Sequence, residues 1–369
     1  MLRRIAQAAV ALFALALFAL AWHCDAAWFD RHVFWPQQFF IVASRAIIVA
    51  ARAGAAAMGV LLLVLVPRLP RGTAGWRLLL ALVLTLPASE ILLRWRLPRL
   101  TRPEAAMGLE GLTRWTGRYG YTLAPGVDRL ESSSGRSVLF RTDAEGRRIS
   151  GATIDPAAPS LIFAGESTVV GIGLQWEETF PAILGSRLHF QAVNLASPAY
   201  SAEQSWMRLR DTLPALAHPV AVVDVFMPGL IGRSFAGQRH PLPLPSPDFA
   251  GELFPPEAPR YLHLSALYAL SKHLYWSDAA VEEGVRAVAL ALRETAALAK
   301  ARGTPCLFLV TGRTPQWMLR EIFEAQGLDA VVVEVPEDEL LPDGHPGPRG
   351  SLRIADALEP RLRTRIANR

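Results

Sequence analysis

The sequence contains few of the residues on which disulfide-bonded and nucleic-acid-binding proteins depend. Its two cysteines, Cys24 and Cys306, are far apart and indicate no disulfide framework. It has only two lysines, Lys272 and Lys300, although the net charge is +5. Residues 1–102 hold twelve arginines and three acidic residues, so the positive charge belongs to an apolar segment. We therefore predict no nucleic-acid partner.

The sequence also lacks the motifs of the common cofactor and metal sites. It has no cluster of Cys and His at metal-ligand spacing, no Gly-Lys-Ser/Thr loop and no Gly-x-Gly-x-x-Gly turn. The short stretch Gly171-Ile172-Gly173 falls short of a nucleotide loop. We therefore predict no cofactor and no metal.

Three apolar stretches, at about 5–22, 46–66 and 78–93, dominate the first hundred residues. Each is near the ~20 residues that a helix needs to cross the hydrocarbon layer of a membrane. The alternative for the first stretch is a cleaved signal peptide, because Arg3 and Arg4 precede it. The sequence thus predicts a membrane anchor of about three transmembrane helices over residues 1–102.

Charges in the short loops predict the orientation of this anchor. Arg3 and Arg4 precede the first stretch, and Arg68, Arg71 and Arg77 lie between the second and third. Because basic loops stay in the cytoplasm, we expect a multi-pass protein of the bacterial inner membrane with a periplasmic C-terminal part. Arg52 within the second stretch and four arginines after the third weigh against this orientation. The inverted topology would place the C-terminal part in the cytoplasm.

The remainder of the chain has the pattern of an α/β domain. We expect a linker and a small β-hairpin region at 103–158, followed by the domain itself at 159–369. Five apolar runs predict buried strands, at 161–164, 192–195, 220–226, 306–310 and 330–335. Helical patterns lie between these runs, at 178–188, 202–213, 279–302 and 315–326. Such alternation predicts a mostly parallel sheet in a three-layer sandwich.

A proline-rich segment interrupts this alternation at about 233–260. Seven prolines between positions 241 and 259 indicate an irregular loop. The sequence leaves open whether it is a lid or a flap that faces the membrane.

Two short motifs contain the residue types of nucleophilic catalysis. Gly165-Glu166-Ser167 follows the first buried strand, and Asp343-Gly344-His345 lies near the end of the sequence. A serine becomes nucleophilic when a nearby base accepts its proton and a third group orients that base. Seven other histidines remain as alternative bases, at positions 23, 32, 189, 218, 240, 263 and 273.

The order of these motifs resembles the SGNH (GDSL-like) hydrolase family, in particular its membrane-anchored bacterial members. The resemblance covers about residues 118–360. Residues 165–181 are similar to the family's first block, 193–201 to its second, and 345–350 with the following helix to its closing block. The resemblance implies an SGNH/flavodoxin-like fold.

The resemblance also implies a role for individual residues. Ser167 is expected to be the nucleophile, His345 the base and Asp343 the group that orients it. The backbone N–H groups of Ser167 and Ala199 are expected to form the oxyanion hole, where each donor is typically worth about 3–4 kcal/mol.

Four positions depart from the family pattern. Glu166 replaces an aspartate, and Ala199 replaces a glycine, which restricts a positive φ there. Asp343 stands two residues before His345 rather than three. The third block, around Gly229, lacks the asparagine that normally completes the oxyanion hole, a loss of ~10²–10³ in rate.

Together, these features predict a membrane-anchored serine esterase or O-acyltransferase. The expected substrate is an acylated envelope glycan or saccharide, and the reaction is expected to pass through an acyl-enzyme. The alternative is a catalytically impaired scaffold, or a glycan-binding component that works with envelope-assembly proteins. The N-terminal helices are expected to contact membrane lipid.

Overall fold

The computed structural model describes residues 2–32, 45–68, 84–85, 87–95, 112–116, 118–234, 244–245, 253–254 and 276–368. The chain divides into two compact units. The first comprises residues 1–35, 41–106 and 259–277, and the second comprises 36–40, 107–258 and 278–369.

The first unit contains two long helices that pack against each other in opposite directions. Helices α1 (Leu2–His23), α2 (Ala26–His32) and α3 (Arg45–Leu65) are followed by a 3₁₀ turn at Val66–Arg68, and residues 87–95 are also helical. Gln7 near the start of α1 donates to the carbonyl of Val66 at 3.1 Å. A Cβ at Gly59 of α3 would lie 3.1 Å from the carbonyl oxygen of Ala14, so glycine permits the close approach of the helices.

Within the described residues, one helix is long and apolar enough to cross a membrane, the Ile48–Leu65 part of α3. Helices α1 and α2 form a second candidate only if a pair bent by 94° counts as one span. The bend follows from Asp25, whose carboxylate accepts the N–H of Trp28 at 2.8 Å and caps α2. Of the three predicted spans, the third is described only at residues 84–85 and 87–93, and the multi-pass arrangement stays a prediction.

Arg52 meets the carbonyl end of the neighbouring helix. Its Nε donates to the carbonyl of Ala21 at 2.7 Å, and Nη2 donates to that of Trp22 at 3.4 Å. A cation is favourable at this position because the last carbonyls of a helix carry partial negative charge. Arg52, which weighs against the predicted orientation, is therefore paired with polar groups of the neighbouring helix.

The second unit begins with two antiparallel hairpins. The first joins β1 (Thr113–Thr116) to β2 (Gly120–Leu123), and the second joins β3 (Asp128–Ser133) to β4 (Arg136–Arg141). The turn of the second consists of Ser134 and Gly135, with φ angles of 55° and 73°. Two positive φ angles in a two-residue loop are typical of a type I′ turn.

A five-stranded parallel sheet forms the centre of this unit, which confirms the predicted α/β class. Its strands are β5 (Ser160–Ala164), β6 (Gln191–Asn194), β7 (Pro219–Phe226), β10 (Cys306–Thr311) and β11 (Ala330–Val333), in the spatial order β11-β10-β7-β5-β6. The short strands β8 (Leu244–Pro245) and β9 (Leu253–Phe254) form a separate antiparallel pair. The strand order reverses between β5 and β7, the position where sheets of this kind bind ligands.

Helices cover both faces of the sheet. They are α4 (Ser167–Val170), α5 (Phe180–Leu188), α6 (Ala202–Thr212), α7 (Gly229–Arg233), α8 (Asp278–Ala301), α9 (Gln316–Met318) and α10 (Pro348–Ala367). Along β5, Leu161 and Phe163 join the apolar core shared with α5 and α10, whereas Ile162 joins the core beside α6. This alternation follows from the two-residue period of a strand.

Two predicted elements differ in the structure. The helix predicted at 315–326 is broken into α9, a wider π turn at Leu319–Phe323 and a 3₁₀ turn at Glu324–Gln326. The π turn carries the ring of Phe323, which packs edge-on against Phe226. The strand predicted at 330–335 ends at Val333. Most of the proline-rich loop lies outside the described residues.

Candidate active site

A sharp turn after β5 presents the candidate nucleophile at the carboxyl edge of the sheet. Gly165 has φ 138°, and a Cβ there would lie 2.7 Å from Cγ2 of Val169, so this position requires glycine. The side chain of Glu166 accepts the N–H of Thr168 at 3.0 Å and caps α4. Ser167 is the first residue of that helix and is 8% exposed.

The loop before α10 brings His345 to this serine. The Nε2 atom of His345 lies 2.8 Å from Oγ of Ser167. The loop is fixed by hydrogen bonds from the N–H of Leu341 to the carbonyl of His345 at 2.7 Å, and from the N–H of Gly344 to the carbonyl of Leu341 at 2.8 Å. The two residues are therefore at hydrogen-bond distance across 178 positions of sequence.

Asp343 reaches the other ring nitrogen despite its unusual spacing. Its Oδ2 lies 2.9 Å from Nδ1 of His345, while its Oδ1 accepts the backbone N–H of His345 at 3.2 Å. Partial burial acts to raise the pKa of Asp343, but hydrogen bonds from His345 and Ser134 outweigh it and lower that pKa to about 2. Asp343 is thus an ionised carboxylate facing the imidazole.

A second carboxylate also contacts the serine. Oε2 of Glu166 lies 2.5 Å from Oγ of Ser167, and this side chain is fully buried. Nη1 of Arg233, at the end of α7, lies 3.9 Å from the same oxygen. Burial acts to raise the pKa of Glu166, but the charge of Arg233 and the hydrogen bonds from Ser167 and Thr168 outweigh it and lower that pKa. Glu166 is therefore a buried anion beside Ser167.

The segment after β6 provides the expected oxyanion-hole position. Ala199 has φ 60°, so it adopts the left-handed backbone that its Cβ disfavours. Tyr121 donates to the carbonyl of Pro198 at 2.6 Å, and Arg233 donates to the carbonyl of Tyr200 at 3.0 Å. These two bonds hold the strained residue from both sides. In the part of the chain that the structure describes, the amides of Ser167 and Ala199 donate no hydrogen bond.

The third block provides no side-chain donor. After β7, Met227 and Pro228 lead into Gly229, which is buried and begins α7. A Cβ at Gly229 would lie 2.9 Å from Cε of Met227, so a larger residue there would require that methionine to move. The cation in this part of the site is Arg233, four residues later along α7.

Arg148 supports the segment that follows the nucleophile. It is fully buried, and its guanidinium donates to the carbonyls of Val170, Gly171 and Leu174. Burial lowers the pKa of Arg148 to about 10, and the guanidinium lies 4.5 Å from the ring centre of Phe140. Sequence reasoning missed this residue, as it missed Ser134, Tyr121 and Arg233, because nothing in their local sequence marks a long-range contact.

Four of the seven alternative histidines, at positions 23, 32, 189 and 218, fall in the part of the chain that the structure describes. His189 ends α5 with φ 61°, and His23 and His32 belong to the first unit. His240, His263 and His273 lie outside the described residues. Among the residues that the structure describes, no group of three or more His, Cys, Asp and Glu side chains is arranged to hold a metal ion.

This arrangement can transfer a proton from serine to histidine. A serine hydroxyl has one proton, and here both Glu166 and His345 can accept it. Transfer to Nε2 of His345 leaves an alkoxide that attacks a carbonyl carbon, while Asp343 stabilises the imidazolium. The amides of Ser167 and Ala199 donate no hydrogen bond among the described residues, so they remain available to stabilise charge on a carbonyl oxygen.

Comparison with known proteins gives little further guidance. No family model matches the chain, and no curated protein matches it. Among solved structures the chain is similar to an acetyl xylan esterase from the rumen bacterium Butyrivibrio proteoclasticus, with a TM-score of 0.37 and 10% identity over 58% of this chain. The chain spans 66% of the length of that neighbour. A likeness of this degree carries no functional argument.

Proposed function

We propose that this protein is a serine hydrolase or acyltransferase that uses Ser167, His345 and Asp343 as a catalytic triad. The observation that carries the proposal is the chain of contacts Ser167–His345–Asp343, at 2.8 Å and 2.9 Å. It is supported by the position of the serine at the reversal of strand order in a parallel sheet.

The proposed reaction proceeds in two steps. Oγ of Ser167 bonds to the ester carbonyl carbon as its proton moves to Nε2 of His345. The amides of Ser167 and Ala199 stabilise the oxyanion. The tetrahedral intermediate collapses, His345 returns the proton to the departing alcohol, and an acyl-serine remains. Water or a sugar hydroxyl then attacks the acyl carbon, with His345 accepting the proton of the incoming group and returning it to Ser167.

The proposed substrate is an acyl ester on an envelope glycan or saccharide, with the site on the periplasmic side of the inner membrane. The membrane-competent helix Ile48–Leu65 supports the anchoring, and the resemblance to membrane-anchored SGNH hydrolases motivates the substrate class. A reporter that is active only in the periplasm, fused after Arg369, tests the orientation. Activity of the reporter is expected, and a silent fusion of an expressed protein contradicts the periplasmic placement.

A fluorophosphonate probe tests the nucleophile directly. We expect full-length protein in detergent to be labelled, and Ser167→Ala to remain unlabelled. Ser205→Ala is the matched control, because Ser205 is also buried but hydrogen-bonds to Asp224 rather than His345. Equal labelling of wild type and Ser167→Ala, or none of a folded wild type, would refute the proposal. Release of acetate from O-acetylated glycan then tests the substrate class.

The second candidate is a catalytically impaired scaffold that binds glycan or assembly proteins. Two observations favour it: residues 223–230 provide no side-chain amide, and the buried carboxylate of Glu166 competes for the serine proton. On this alternative the protein binds glycan while Ser167 is unreactive towards the probe. The labelling experiment therefore separates the two candidates.

A further inference from the structure

We propose that Ser134, on the turn of the β3–β4 hairpin, is a positioning residue that holds Asp343 in place for His345. Ser134 would be the fourth member of a series of contacting side chains, in the order Ser134, Asp343, His345 and Ser167. The inference rests on the proposed function, since it assigns a role within that same site.

Among the described residues, the hydroxyl of Ser134 is the one partner of the Asp343 carboxylate that comes from outside the loop of Asp343. Ser134 Oγ donates to Oδ2 of Asp343, the oxygen that faces the imidazole. The other contacts of this carboxylate come from the backbone N–H and Nδ1 of His345. Because the Asp343 side chain is 35% exposed, it has room to turn towards solvent without this bond.

Ser134 stands at a backbone position that does not favour serine. Its φ of 55° lies in the left-handed region, where a two-residue hairpin turn prefers Asn or Gly. An L-residue other than these pays about 1 kcal/mol or more at such a position. Residues held in unfavourable conformations are concentrated at functional sites. Here the strained residue is the one whose hydroxyl contacts Asp343.

The hairpin is fixed firmly enough to position another residue. Arg136 donates to the carbonyl of Gly173 at 3.0 Å and pairs with Glu178 at 2.8 Å, and the N–H of Leu139 donates to Gln175 at 3.1 Å. A Cβ at Gly173 would lie 3.1 Å from Cβ of Ser134, so the turn is seated closely against this segment. The Arg136 guanidinium therefore bonds to Gly173 and Glu178 rather than to Asp343.

The test uses variants that distinguish the loss of the Ser134 hydroxyl from a change in the backbone conformation of the turn. Ser134→Gly removes the hydroxyl and suits the positive φ, so the variant should fold at least as stably as wild type. Its rate of fluorophosphonate labelling should fall about tenfold, the loss of roughly one charge-assisted hydrogen bond. Ser134→Asn tolerates the same backbone and restores an N–H donor, and should recover part of the rate. Ser132→Ala is the control, because this hydroxyl faces Ser137 on the exposed side of the same hairpin.

A double-mutant cycle with Asp343→Ala distinguishes positioning from a structural role. If Ser134 acts through Asp343, Ser134→Gly should have no further effect once the carboxylate is gone. Additive losses, or a labelling rate for Ser134→Gly equal to that of wild type, would overturn the inference. Failure of the proposed function is a separate result, since wild type would then show no Ser167-dependent labelling.

Discussion

The hydroxyl oxygen of Ser167 lies closer to Oε2 of Glu166, at 2.5 Å, than to Nε2 of His345, at 2.8 Å. The residue that precedes the serine therefore competes with the base for its single proton. Because Glu166 is an anion held by Arg233, its carboxylate is a strong acceptor. On the proposed mechanism, the reactivity of Ser167 depends on the balance between these two acceptors.

Shortening Glu166 should shift this balance towards His345. Glu166→Asp retains the N-cap of α4 but withdraws the carboxylate by one methylene, so we expect Ser167 to react with fluorophosphonate about fivefold faster, from the loss of roughly 1 kcal/mol of competing hydrogen bond. Glu177→Asp, at an exposed glutamate nearby, should leave the rate unchanged. An unchanged or slower rate in Glu166→Asp, with the fold intact, would show that Glu166 does not hold the proton.

Replacing the strained alanine should stabilise the protein. Ala199→Gly removes the Cβ that conflicts with φ 60°, so the free energy of unfolding should rise by about 1 kcal/mol. Ala199→Val should lower it, because a β-branched residue tolerates positive φ least. The melting temperature in detergent measures both changes. Ala196→Gly is the control, because Ala196 lies in the same segment without a positive φ, and this variant should have a lower melting temperature. If Ala199→Gly also lowers the melting temperature, position 199 is not strained.

Removing the buried guanidinium should destabilise the segment behind the nucleophile. Arg148→Met leaves the carbonyls of Val170, Gly171 and Leu174 without their donor, at a cost of about 3–5 kcal/mol in the free energy of unfolding. Arg141→Met is the control, since its exposed pair with Asp128 should be worth less than about 1 kcal/mol. Chemical denaturation of the full chain measures both, and similar small losses would contradict the supporting role of Arg148.

Stability should fall as pH rises through the window in which Asp224 ionises. Burial raises the pKa of Asp224 from 3.8 to about 6, so the folded state binds more protons than the unfolded state between these values. The contribution of Asp224 is therefore greatest below pH 4 and declines up to about pH 6, by roughly 3 kcal/mol in total.

The variant Asp224→Asn isolates this contribution. It should lose less stability than wild type between pH 4 and pH 7, because it cannot ionise. Asp128→Asn, at an exposed carboxylate, should follow the wild-type curve. Melting temperatures across this range give the comparison, and parallel curves for wild type and Asp224→Asn would mean that Asp224 ionises normally in the folded protein.

The local elements of the α/β fold could be predicted from the sequence because their signals are local. The apolar run that became β5 and the glycine turn before Ser167 can both be recognised within ten residues of sequence. The alanine at position 199 indicates only that a positive φ is restricted where the resembling family has glycine, so the observed φ of 60° does not follow from the sequence. The roles of Ser167, His345 and Asp343 remain predictions drawn from that resemblance, although the structure brings the three side chains together.

The contacts that complete the site could not be predicted, because each joins distant parts of the chain. The bond from Ser134 to Asp343 spans 209 positions, and neither residue alone indicates the other. Arg148 is one of two adjacent arginines, and only its burial distinguishes it from its neighbour. The sharp bend after His23 depends on a single capping aspartate, which a hydropathy pattern does not register.

The distance in sequence between Ser167 and His345 has a consequence for biosynthesis. At typical elongation rates the ribosome adds the intervening 178 residues in roughly 10–40 s, so the serine is made long before the histidine. During that interval the nascent chain has neither the base nor Asp343, and the hydroxyl has the reactivity of an ordinary alcohol. On the proposed mechanism, activation therefore waits for the last part of the domain, and a chain whose synthesis stops early carries an inert serine.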